Sequence, residues 1–380
     1  MKQDRGWLFL CFACLLLLSA CSTGTATAPS TSSSPSAAAS PSPSPSPSAP
    51  AASPSPTVSG SPSAAPSAGY LEIDGQRAHQ VVVPKPTAAA EYAVTMTGIY
   101  RHTKNSWTKI ADNSGAGPIV VDPTNSDILY RGDHPACAVG GKPVAFQKST
   151  DGGKRWITIP GLQDVQPMIV NPANPSIIYG SACALTVSSD AGQTWKSIHP
   201  LPSFDLSSLA LAGNKLYGIY TSEGGTSRLI VSDVSDPANP TGNDQLMEFW
   251  GGGTVTANAD RLVVGEPHGI HVSTDGGRHW TFSRSGLEDV TVSVDVLTQP
   301  LPQNEISTGF GIFAAAIHPT KSDRLEAGTI RGLFRSQDKG QTWTQVPEVD
   351  KARIRSLAFA GDGAQLYVMT DEGVFTINNP

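Results

Sequence analysis

From residue 70 onward, apolar and polar positions alternate in short runs, such as "GIHVS" (269–273) and "GLFRS" (332–336). Gly, Pro, Asn and Asp separate these runs, and nowhere does an apolar period of 3.6 residues persist. Period-two alternation broken by turn-formers predicts half-buried β-strands, and a chain built from them alone is all-β.

One stretch organises the rest. "VSTDGGRHW" (272–280) has close copies in "KSTDGGKRW" (148–156), "VSSDAGQTW" (187–195) and "RSQDKGQTW" (335–343). All read Ser-x-Asp-x-Gly-x-x-Trp, with Ser149, Asp151, Gly153 and Trp156; Ser188, Asp190, Gly192 and Trp195; Ser273, Asp275, Gly277 and Trp280; and Ser336, Asp338, Gly340 and Trp343. An alternating run precedes each copy and a short apolar run follows it, which predicts two strands joined by a tight turn. Glycine can take the positive φ of such a turn, Asp and Ser can bind its unpaired amides, and Trp offers a face for burial.

This motif resembles the Asp-box, or bacterial neuraminidase repeat, of sialidases, sortilin-type receptors and photosystem II assembly factors. The resemblance implies a β-propeller with the motif on the hairpin between strands c and d of a blade. It implies little about function, since one fold hosts many sites. The four aspartates are expected to fix turns and to catalyse nothing.

Walking outward from the four copies gives seven expected blades, near 80–110, 117–159, 166–198, 206–250, 253–283, 290–346 and 353–378. That is about 44 residues each, with six or eight blades as alternatives. "IVVDPTNSDILYRG" (119–132), "MIVNPANPSIIYGS" (168–181) and "AAIHPTKSDRLEAGT" (315–329) supply strands a and b. The last blade lacks an outer strand. "YLEID" (70–74) is an unplaced strand and is expected to complete it, closing the ring and hiding an edge.

The first 69 residues are of another kind. Lys2 and Arg5 precede an apolar run from Trp7 to Ala20 ending in Leu18-Ser19-Ala20-Cys21. The run has the size of a signal peptide, and its end resembles a bacterial lipobox, which implies lipidation at Cys21 and a lipid-anchored, extracytoplasmic protein. Residues 22–69 are almost entirely Ser, Pro, Ala, Thr and Gly, without a charge, and read as a disordered spacer. In polyproline-II form it would reach on the order of 100 Å. The propeller domain is therefore expected over 70–380.

Charge narrows the partners. Net charge is −6, and with Lys2, Asp4 and Arg5 set aside the remainder carries −7. No basic stripe accompanies that acidity, so nucleic acid is not expected. Neither metal nor cofactor is expected, because four ligands never cluster, and a monomer is expected.

In a propeller the a–b and c–d turns share one face, and the b–c and d–a loops share the other. That second face collects Arg131, Asp133, His134, Glu223, Glu266, His268, Arg331, Asp371 and Glu372 as candidate ligand-binding residues. A solvated rim of ordinary charged loops is the competing reading. Cys137 and Cys183 fall in or beside neighbouring b–c loops in an oxidising compartment, and a disulfide is expected, two idle thiols being the alternative. His268 and His271 stand three apart and read as structural. Arg131-Gly132-Asp133 spells an adhesion tripeptide that three residues are too few to support.

Glycoside hydrolysis is the enzyme reading that the resemblance suggests. Sialidases show an Arg-Ile-Pro motif before the first box and an arginine cluster; here the nearest string is Arg353-Ile354-Arg355, in the last blade. An opposed pair such as Glu266 and Asp371 would serve another glycosidase. The photosystem II assembly factors are similar in size and in having one propeller, without a comparable arginine patch here. The reading that joins lipobox, spacer and missing catalytic set is a non-catalytic binding or assembly module for an envelope protein or glycan. A purely structural surface protein is the third.

Overall fold

The computed structural model describes residues 68–378, apart from 85–89, 104–105, 114–116, 134–143, 183, 199–203, 223 and 293–310. The described residues contain no helix and form seven four-stranded antiparallel sheets with a small extra hairpin, Glu72–Ile73 with Gln76–Arg77. Six sheets are simple meanders, spanning 80–112, 119–163, 166–197, 204–250, 254–283 and 314–350. They form blades 1 to 6 of a seven-bladed β-propeller, in the expected register. Blade 6 differs in one respect: its inner strand starts at Ala314, well after residue 290.

Blade 7 is composite. Ile354–Phe359, Gln365–Thr370 and Gly373–Asn378 supply strands a to c, and Ala68–Tyr70 supplies the outer strand. Gly69 stands opposite Thr376 and Tyr70 opposite Phe375, and the Leu71 amide extends the ladder to the Val374 carbonyl at 2.7 Å. The closing strand thus lies earlier than the 70–74 the alternation suggests. Glu72 and Ile73 turn away into the extra hairpin because Asp74 and Gly75 both adopt positive φ there.

Among the described residues, most of the buried apolar side chains fall into seven clusters, each shared by two adjacent blades. Tyr92 and Ile99 of blade 1 pack on Ile119, Val121 and Leu129 of blade 2. Leu333 and Val346 of blade 6 pack on Ile354, Leu366 and Val368 of blade 7. Ala93 and Tyr100 of blade 1 meet Tyr367, Met369 and Val374 of blade 7, which closes the ring with the same kind of layer. A twisted sheet hydrophobic on both faces can bury both only between two neighbours.

The four Ser-x-Asp-x-Gly turns share one hydrogen-bond scheme. Ser149 Oγ accepts the Gly153 amide at 2.8 Å and donates to Asp151 Oδ1 at 3.0 Å, while Asp151 Oδ1 accepts the Arg155 amide at 2.9 Å. Gly192, Gly277 and Gly340 donate in the same way to Ser188, Ser273 and Ser336, at 2.8–2.9 Å. The glycines hold φ between +86° and +92°. A Cβ on Gly153, Gly192, Gly277 or Gly340 would also come within 3.1, 2.9, 2.6 or 2.9 Å of Ile110, Phe146, Leu246 or Val272, each on the preceding blade. The motif therefore docks one blade against the next as well as making the turn.

Candidate functional site

The b–c turns have chemistry of their own. Thr95, Thr329 and Thr370 close blades 1, 6 and 7 with a Thr-x-x-Gly turn. In each, the Thr hydroxyl donates to the Gly carbonyl, at 3.4, 2.9 and 2.8 Å, and accepts an amide within the turn. Blade 5 has Glu266-Pro267-His268-Gly269 at this place. The Glu266 carboxylate does the work of the threonine, accepting the His268 amide at 2.9 Å.

Glu266 does more than close its turn. Its Oε2 meets His268 Nδ1 at 2.7 Å and its Oε1 meets His271 Nε2 at 3.2 Å. Glu266 and His268 are each only 1% exposed. Burial pushes the carboxyl pKa up, but the hydrogen bonds from His268 and His271 outweigh it, so the group lies below its ordinary value and stays ionised. Both residues therefore sit beneath the face and do not line its rim.

Arg131 is a second correction. It ends strand b of blade 2 at 3% exposure, its Nε donating to Gln147 Oε1 at 2.7 Å and its guanidinium lying 4.1 Å over the Trp156 ring. Burial lowers its pKa to about 10. This arginine packs within its own blade against the tryptophan of the Ser-x-Asp-x-Gly-x-x-Trp motif.

Asp371, Glu372 and Arg331 do lie exposed on the b–c turns, and Asp133 is half-buried beside its turn. Asp371 pairs with Arg355 from the inner strand of blade 7. Glu372 accepts the Tyr70 hydroxyl at 2.9 Å and lies 3.6 Å from Arg77, which stacks on Tyr70. The Arg331 carbonyl accepts the Lys351 amide at 3.1 Å and Gln345 Nε2 at 2.9 Å. Of the two carboxylates expected as an opposed pair, Glu266 of blade 5 is buried against His268 and His271, and Asp371 of blade 7 is exposed and paired with Arg355. His134, Glu223, Cys137, Cys183 and Cys21 lie outside the described residues. Among the described residues, no three His, Cys, Asp or Glu side chains gather as a metal site.

Comparison with known proteins agrees on architecture. YCF48 bound to a D1 peptide superposes with a TM-score of 0.55 at 15% identity, covering 83% of this chain and 97% of that one. The fold is a seven-bladed β-propeller. YCF48 from Cyanidioschyzon merolae gives 0.52 at 16% identity, with 83% and 99% coverage. In sequence, a xyloglucanase of a Paenibacillus species is 24% identical over 333 residues, which is 67% of this chain and 29% of the relative. The chain thus spans under a third of that enzyme's length. No protein-family profile matches the chain.

Proposed function

We propose that this chain is a lipid-anchored, extracytoplasmic propeller that binds an envelope protein without catalysis, through its b–c and d–a loops. The observation that carries the reading is the state of three acids among the described b–c turn residues. Glu266 is buried between two histidines, Asp371 is paired with Arg355, and Glu372 is held by Tyr70 and Arg77. A general acid and a nucleophile must present a carboxyl to the substrate, and these carboxylates are directed to histidine, arginine and tyrosine side chains of the domain itself. A single propeller that spans nearly all of a chain seen with a bound peptide supports a protein partner.

The test is capture from the host's solubilised envelope by the full chain, beside a variant carrying Arg331→Glu and Asp371→Ala. These side chains are exposed, so the variant should melt like the parent. One protein held by the parent and lost from the variant is the expected result; identical capture by both would sink the proposal. The likeness to a xyloglucanase supports a second reading, glycoside hydrolysis. Release of reducing sugar from xyloglucan by the full chain would move the assignment to it.

A further inference from the structure

Each strand a has a hydrogen-bonded neighbour on one side only, so its other edge faces the central channel. Toward the a–b turns, the inner strands of blades 1 to 5 surround a cavity of about 490 Å3, open on the face opposite the rim. Val82, Val120, Met168, Leu209 and Leu211 form its wall, with Pro123 and Pro172 at its mouth. Among the described residues no charged side chain lines it, and of the two polar side chains there Asn171 already accepts the Ala173 amide.

We propose that this mouth is a binding site for an uncharged, extended segment of a partner protein, one that inserts aliphatic or proline side chains. Three features select that chemistry. The wall is aliphatic and large enough for a few side chains, within the range of ligand pockets. A charged residue entering it would lose hydration and meet no counter-charge among the described lining residues. The inner strand edges offer backbone amides and carbonyls, which a peptide backbone can meet and a hydrocarbon chain cannot. The inference concerns the opposite face from the rim and stands whether or not the rim binds.

Methionine methyl groups report on both faces at once. Met168 lines the cavity, whereas Met96, 78% exposed in the b–c turn of blade 1, lies on the far face. The full chain, labelled at its methionine methyls with 13C, would be titrated with acetyl- and amide-blocked octapeptides of Val, Pro, Leu and Ser. The same peptides with a central Glu or Lys, and dodecyl maltoside below its critical micelle concentration, serve as further probes. The uncharged peptides should shift Met168 saturably and leave Met96 still. Leu209→Asn should weaken that binding at least tenfold, and the isosteric Val120→Thr carries the test where Leu209→Asn does not fold. A Met168 signal that stays silent, that responds equally to the charged peptides, or that is indifferent to the folded variant would overturn the proposal. A shift with the dodecyl probe alone would assign the mouth to acyl chains and overturn it too.

Discussion

The Tyr367 hydroxyl donates a 2.7 Å hydrogen bond to Glu91 Oε2, joining strand b of the last blade to the first blade across 276 residues of sequence. Glu91 also meets His102 Nδ1 at 3.0 Å, and His102 stacks on Trp107 at 4.6 Å. Burial, with the Glu91 carboxylate second, drives the Tyr367 pKa far up, so the phenol remains a donor throughout the physiological range. This contact closes the ring on the inside, and the strand Ala68–Tyr70 closes it on the outside.

Tyr367→Phe should therefore cost about 1 kcal/mol and lower Tm by roughly 1–2 °C. Deleting 68–74 should cost more, because it also opens the edge of Gly373–Asn378 and removes the partner of Phe375. Thermal melting checks both; a deletion that melts like the parent would contradict ring closure by this strand.

The docking role of the motif glycines separates two substitutions that look alike in sequence. Gly161 has φ +74° with nothing within 4 Å of where a Cβ would stand, so Gly161→Ala should cost about 1 kcal/mol from backbone strain alone. At Gly192, φ is +86° and the added methyl would press on the Phe146 ring at 2.9 Å, so Gly192→Ala should cost roughly 3 kcal/mol. Equal losses in denaturant unfolding would mean that the glycine serves the turn only.

Asp275 accepts the amides of Arg278 and His279 at 3.1 and 2.9 Å. The His279 amide, then the His279 ring, hold its carboxyl well below the ordinary value. A depressed carboxyl stabilises the fold above the ordinary carboxylate range, and that contribution disappears as pH falls through the lowered value. Asp275→Ala should lower Tm at pH 7, and Asp275→Asn, which keeps one acceptor oxygen, should lower it less. An unchanged melt for the alanine variant would remove the structural role.

His318 provides a pH test at a single position. Its Nδ1 accepts the amides of Thr320 and Lys321 at 3.2 and 3.1 Å, the place taken by Asp122 in blade 2 and Asn171 in blade 3. Burial, then the charges of Arg324 and Lys321, bring its pKa from 6.5 down to about 4. Between those values the unfolded chain takes up a proton that the folded imidazole refuses. Stability should thus be full above pH 6.5 and fall by roughly 3 kcal/mol as the pH drops to 4. His318→Asn should keep the turn and flatten that slope in urea unfolding curves measured across the window. A slope that survives the substitution would place the proton uptake elsewhere.

Much of the architecture was legible because its signals are local. Ser149 to Trp156 and its three copies encode their turn within eight residues, through groups that reach only their own backbone. Once those turns are set, strand lengths and the spare strand near residue 70 follow from chain order. The fates of Arg131 and Glu266 were not legible in the same way. Both stand next to b–c turns, yet whether a side chain there meets solvent depends on the pleat and on its partners. Gln147 and Trp156 lie 16 and 25 positions from Arg131 in sequence, and they cover it only once three strands have paired. The Thr-x-x-Gly turns hold the clue to Glu266, because aligning them by strand puts it in the threonine's place.

The repeat alone determined the fold class and pointed to seven blades over six or eight, since its turns rest on short-range hydrogen bonds and backbone conformation, and the seven paired sheets fix the count. Tertiary structure alone decided which carboxylates are free and where an apolar mouth opens. That mouth gathers side chains from Val82 to Thr256, contributed by five inner strands. Each contributes one or a few ordinary strand residues, and only closure of the ring brings them around one axis.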